Sequence, residues 1–168
     1  MKKNISFLIL PLLLLLCSQY SLAGDGDKYL NISGGWQYKN TINALISIEF
    51  EGTNHNSYEF YLDLANAYKK APDGKIHSNT FWDYKSFGIG AAWKPIIGRG
   101  KNSSLRWRLG GDIGANDKSF QASLEVGLEY SYTLKNGWKL FALQKNDFVF
   151  WTRDHFRNGL LIGLKLPF

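Results

Sequence analysis

Apolar and polar residues alternate with a period of two along most of the chain after about residue 28, and that period belongs to a half-buried β-strand. The clearest case is the C-terminus, Asn158 to Phe168. Leu160, Ile162, Leu164, Leu166 and Phe168 share one parity, while Leu161, Gly163, Lys165 and Pro167 share the other. Pro167 has no N–H to give to a ladder, so it suits a strand end or an edge. A strand that runs to the end of the chain and stops on an aromatic residue looks like the closing strand and C-terminal signal of bacterial outer-membrane β-barrels. The same period predicts strands over 29–38, 43–51, 57–68, 84–95, 104–115, 120–133, 138–151 and 156–168.

The intervening segments carry turn chemistry. Lys39-Asn40-Thr41, Gly52 to Asn56, Gly98 to Ser103, Asn116-Asp117-Lys118 and Thr152 to His155 are short and polar, and Lys135-Asn136-Gly137 is the strongest hairpin signal. The longest connection, Lys69 to Asp83, contains Pro72-Asp73-Gly74. Alternation slips around Gln144 to Asp147, which predicts a bulge or a loop edge there.

Eight strands of roughly ten residues fit tilted strands that cross a bilayer, and an even count returns both termini to one side. Trp36, Tyr38, Tyr68, Trp93, Tyr132, Trp138 and Trp151 lie toward strand ends, where amphipathic rings favour a membrane interface. The expected fold is therefore all-β: an eight-stranded antiparallel up-and-down barrel of the outer-membrane type. Its rival is a soluble sandwich or lipocalin-like barrel, which would turn the apolar parity inward.

The polar parity carries charge: Glu49, Glu59, Asp63, Arg106, Arg108, Asp112, Glu125, Glu129, Lys145 and Lys165. A soluble protein would present these to water. An eight-stranded barrel would place them in a narrow interior, where unpaired charge is costly. Both signs are present on different strands, so the expectation is a plugged, salt-bridged lumen.

The start of the chain adds export. Lys2 and Lys3, an apolar run from Ile5 to Leu16 and Ser21-Leu22-Ala23 make a secretory signal peptide, with cleavage expected after Ala23 and one barrel domain over 24–168. Leu14-Leu15-Leu16 before Cys17 lacks the small residue a lipobox needs. Without residues 1–23 the chain has no cysteine and no methionine, and its charge is +4, from 18 basic against 14 acidic residues. Disulfide and thiolate chemistry are then excluded. No basic stripe of the kind that binds nucleic acid is present.

Candidate chemistry is sparse. His55, Ser57 and Glu59 are close in sequence, as in lipid-modifying barrels, but His55 falls in a turn and only Ser57 and Glu59 share a face. A Ser/His pair needs hydrogen-bond contact to work. His77 and His155 are isolated, so no metal-ligand spacing arises. Gly88-Ile89-Gly90 lacks the lysine and helix of a phosphate loop; the glycines make room for interior side chains. No catalytic residue, cofactor or metal is expected. Phe81, Trp82 and Tyr84 form an aromatic group suited to a protein contact, or to packing on the barrel rim.

The C-terminal third also resembles a known family. Gln144-Lys145, Phe150-Trp151 and Gly159 to Lys165 occupy the positions of a Gln-basic segment, an aromatic pair and a final G-x-G-x-K-type strand in the conjugal transfer protein TraO family of Bacteroidetes conjugative elements. Gly34-Gly35 in the first strand and the Gly-rich strands at Gly88 to Ala92 and Gly110 to Gly114 fit its layout. The resemblance implies a non-enzymatic component of a conjugation apparatus at the cell outer membrane. Its partners would be outer-membrane lipid, other apparatus proteins and, through the last strand, the barrel assembly machinery. Two rivals remain open: an outer-membrane enzyme acting on lipid or lipid A, and a general small porin-like or adhesion barrel.

Overall fold

A computed structural model describes residues 26–38, 40–69, 84–151 and 155–168. The expected signal peptide and the aromatics Phe81 and Trp82 lie outside these residues; Tyr84 opens a strand, opposite Ala67.

The strands are β1 (Lys28–Gln37), β2 (Thr41–Glu51), β3 (Ser57–Ala67), β4 (Tyr84–Lys94), β5 (Ile96–Arg99), β6 (Ser103–Asn116), β7 (Phe120–Thr133), β8 (Lys139–Phe150) and β9 (Phe156–Pro167). Each pairs antiparallel with its neighbour, and β1 pairs with β9, so the sheet closes into an eight-stranded antiparallel barrel without a free edge. Nine segments make eight staves because β4 and β5 are one stave interrupted at Pro95. The predicted strand ended there. Instead the register carries across, from Trp93 opposite Leu109 to Ile96 opposite Arg106, and slips only between Ile96 and Gly98. Proline removes one ladder donor but leaves its carbonyl, which accepts from Trp107 N–H at 3.0 Å.

The start of β1, the end of β9 and the turns at 52–56, 100–102 and 134–138 lie at one end of the barrel, here the turn end; the end of β3 and the start of β4 lie at the other, the loop end. The Lys-Asn-Gly hairpin closes as its sequence requires: Gly137 has φ +85°, and its N–H donates to Leu134 O at 3.0 Å.

The barrel is apolar outside and polar inside. The outward parity of β2 is Ile42, Ala44, Ile46, Ile48 and Phe50, and that of β9 includes Leu160, Ile162, Leu164 and Leu166. Ile89, Ile113 and Ile162 are more than half exposed. Aromatic pairs mark the rims, with Phe50 against Phe60 toward the turn end and Phe148 against Phe156 and Phe120 against Trp151 at the loop end. Fully exposed aliphatic staves between aromatic rims are unfavourable in water and favourable in a hydrocarbon layer.

The inward parity is buried and mostly polar. Glycines make the space. A Cβ on Gly90 would lie 2.5 Å from the ring carbon of Tyr61 that carries its hydroxyl, so Tyr61 crosses the lumen only because position 90 has no side chain. Tyr61 joins Leu45, Ala92, Phe141, Leu143 and Leu161 in a small apolar cluster inside the barrel.

The predicted bulge at Gln144 to Asp147 is not there. The β7–β8 and β8–β9 registers run unbroken through these residues. The alternation falters because Gln144 and Asn146 are polar residues on the outward parity, while Lys145 and Asp147 keep the inward one.

The two orientations of such a barrel respond oppositely to one substitution. Ile46→Arg, at an exposed outward position midway along β2, should cost about 2–4 kcal/mol of refolding stability in lipid bilayers. A urea midpoint measured in vesicles checks this; an unchanged midpoint would mean the outer face sits in water.

Candidate functional site

The one concentration of chemistry-bearing side chains among the described residues is the lumen. The inward parity of seven staves brings eight buried carboxylates against six buried cations. All ten charged residues expected in the interior are there. Four others complete the set: Glu51, Lys94, Lys139 and Asp147. Each lies on the inward parity of its strand. Lys94 follows Ser86, Gly88, Gly90 and Ala92, so parity extended by one step would have found it. Asp147 was hidden by the apparent slip.

The groups form a continuous series along the barrel axis. Toward the turn end, Glu51 meets Arg106 at 2.9 Å and Lys139 at 2.8 Å, and the Lys139 ammonium lies 4.2 Å from the centre of the Tyr29 ring. Next comes the densest cluster. Lys94 Nζ sits 2.6 Å from Glu49, 3.0 Å from Glu59 and 2.6 Å from Glu129. Lys165 contacts Glu49 at 2.6 Å and Glu129 at 2.5 Å. Asn31 Nδ2 donates to Glu49 at 2.9 Å, and Ser47 Oγ donates to Glu59. Arg108 bridges Glu59, at 2.9 Å, to Glu125, and its guanidinium stacks 4.4 Å from the Tyr61 ring centre. Toward the loop end Lys145 holds Asp63 at 2.5 Å and Asp147 at 2.8 Å, and Gln37 donates to Asp147 at 2.9 Å. Asp112 accepts from Ser123 Oγ at the edge of a polar recess that Asp63, Ser86, Gln121 and Asp147 also line.

This arrangement pairs most of the charge and fills space. Arg106, Arg108, Lys94, Lys145 and Lys165 are the largest fully buried side chains of the described residues, so cations occupy the cross-section that a pore would leave open. The carboxylates of Glu49, Glu59 and Glu129 have ligand atoms within 4.8 Å of one another, close enough for a metal ion. The Lys94 ammonium already lies among them and supplies the positive charge. Among the described residues, no catalytic geometry arises around His55 or His155. His55 stands at φ +62° in the turn, 3.4 Å from Glu51 and in contact with Arg99. Ser57 Oγ is buried without a hydrogen-bond partner, and Glu59 is committed to Lys94 and Arg108. His155 Nδ1 lies 3.3 Å from Val149 O, and His77 is outside the described residues.

An apolar outer wall around a charged, closed lumen matches known architecture. The fold is similar to that of the Yersinia pestis outer-membrane protein Ail in a phospholipid bilayer nanodisc, at 15% identity and a TM-score of 0.52, covering 84% of this chain and 100% of that one. The fold is that of an outer-membrane β-barrel. A designed transmembrane β-barrel aligns at 10% identity and a TM-score of 0.49, over 85% of this chain and 98% of that one. No protein-family model and no curated protein matches the chain.

Removing one partner from a buried cluster leaves the others uncompensated. Lys94→Met should therefore lower stability by about 3–5 kcal/mol, read as a reduced urea midpoint of the refolded barrel. An unchanged midpoint would show that the Lys94 ammonium is not needed to hold the three carboxylates together.

Proposed function

We propose that this chain is a non-enzymatic barrel of the bacterial outer membrane that serves as a structural or accessory component of a conjugal DNA-transfer apparatus. The observation that carries the scaffold part is the lumen itself. All of its charged groups but Asp112 are tied to one another across the barrel, which supports a filled scaffold in place of a substrate site or a passage. The outer-membrane location is supported by the apolar outer wall, the closing C-terminal strand and the expected signal peptide. The conjugal role rests on the resemblance of the C-terminal third to the TraO family, through Gln144-Lys145, Phe150-Trp151 and Gly159 to Lys165. In this reading the strands anchor the protein in lipid and the 69–83 connection, with Phe81, Trp82 and Tyr84, offers a surface to other apparatus proteins.

Two measurements test the parts separately. Fractionation should recover the protein in the outer membrane, with a mobility on gels that changes on boiling, as a closed barrel gives. Deleting the gene from a donor strain should lower the transfer frequency of its conjugative element, with recovery on complementation. An outer-membrane barrel whose loss leaves transfer unchanged would fit the general small-barrel reading instead.

The lipid-modifying alternative requires His55 and Ser57 to work together. His55→Ala and Ser57→Ala should each leave transfer frequency unchanged, and overexpression of the unaltered protein should leave the lipid A mass spectrum unchanged. A mass change in lipid A that Ser57→Ala abolishes would favour the enzyme.

A further inference from the structure

The residues that break the alternation in β8 are on the outside of the barrel. Gln144 and Asn146 project outward from β8, and Asn158 projects outward from β9 directly opposite Asn146. The three amides form a patch. Gln144 Nε2 donates to Asn146 Oδ1 at 2.9 Å, Asn146 Nδ2 donates to Gln144 Oε1 at 3.1 Å and to Val126 O at 3.0 Å, and Asn158 Nδ2 donates to Asn146 Oδ1 at 2.5 Å. Asn158 Oδ1, one N–H of Gln144 and one N–H of Asn158 find no partner within the described residues.

Gln144 and Asn146 lie midway along β8, and Asn158 stands one outward step from the Phe148–Phe156 pair of the loop-end rim. On the same outward parity of β8, Leu140 and Ala142 lie toward the turn end and Phe148 and Phe150 toward the loop end. Across the ladders Val126 faces Asn146 and Leu128 faces Gln144 on one side, Leu160 faces Gln144 on the other, and Ile162 follows Leu160 on the same outward parity. Elsewhere the interior of the outer belt is apolar, as on β2 with Ile42, Ala44, Ile46 and Ile48. Amide groups surrounded by hydrocarbon retain a demand for hydrogen bonds that lipid tails do not meet. Closure of the barrel leaves no strand edge to pair laterally, so any association in the membrane must use side chains.

We infer that the outer face of β7, β8 and β9 around Gln144, Asn146 and Asn158 is a lateral interface that takes a second copy of this chain in the membrane. The chemistry favours a second copy because an amide is both donor and acceptor and therefore complements itself. A two-fold contact sets each unpaired donor or acceptor against its counterpart on an identical patch. Val126, Leu128, Leu160 and Ile162 supply the apolar surround that such a contact needs to exclude lipid. Polar side chains associate membrane segments in the same way between helices. The inference rests on the outer wall being in lipid, which the fractionation test addresses independently.

Site-specific photo-crosslinking of the full chain in intact cells tests it. A photoreactive phenylalanine analogue is placed at Leu128 or Leu160, beside the patch, and at Ile48 or Ile89, on staves away from it. In each strain the membrane fraction and the boil-dependent mobility are checked first, so failure of the barrel reading is seen separately. The expected result is an adduct of twice the monomer mass from positions 128 and 160 and none from 48 and 89. The adduct should be lost in the triple variant Gln144→Leu, Asn146→Leu, Asn158→Leu while its boil-dependent mobility remains. Three results overturn the inference: no adduct at 128 and 160 from a correctly folded membrane barrel, an adduct of another mass, or a double-mass adduct that survives the triple substitution.

Discussion

Burial of charge in a narrow, closed lumen is the constraint on which this barrel depends. An ammonium or carboxylate removed from water is destabilising unless oppositely charged and hydrogen-bonding groups surround it. Here the partners come from across the barrel. One cluster joins Glu49 of β2, Glu59 of β3, Lys94 of β4, Glu129 of β7 and Lys165 of β9, while Lys145 of β8 reaches Asp63 of β3. Each stave is thereby tied to staves that it does not touch through its backbone ladders. A slip of one residue in any of them would put a charge in the hydrocarbon and an aliphatic side chain among the carboxylates.

The same constraint explains why the interior is polar. A lumen of well-packed hydrophobic side chains could be as stable as one of ion pairs. It would also erase the difference between the two parities, and with it the signal that sends Ile46, Ile89 and Ile162 outward. Ionic filling keeps that difference large. Of the few apolar residues inside, Tyr61, Leu143 and Phe141 sit where Gly90, Gly127 and Gly163 leave room. Large cations and small glycines are thus two halves of one packing solution, since long side chains cross a narrow barrel only where the facing position is empty.

Against this regular background the outward amides of β8 and β9 are the exception. Their mutual hydrogen bonds reduce the penalty of facing lipid without removing it. A wall that is otherwise apolar between its aromatic rims gives such a patch a specific place on the circumference. Lateral contact there would leave the lumen and both ends of the barrel unobstructed. It is thus compatible with a scaffold that presents its 69–83 connection to other proteins.

Alternation along the chain was enough to determine the strands, their number as staves and which residues share a face, because the period of two is a local property of the pleat; that the charged face is the inner one was decided by the closed sheet. Ten of the lumen charges follow from it directly. Lys94 and Glu51 belong to the same parity but stand at strand ends, where a short pattern carries little weight. The slip at Gln144 to Asp147 reads in one dimension as a backbone irregularity. Only the ladders to β7 and β9 show that the backbone is regular and that the side chains are exceptional. Which charge meets which was likewise decided by the closed sheet. Glu49 and Lys165 are distant in sequence and on strands that are not neighbours, so closure and shear alone bring them to 2.6 Å. Sequence period sets the face of a side chain, whereas its partner is set by the curvature that folds eight faces into one interior.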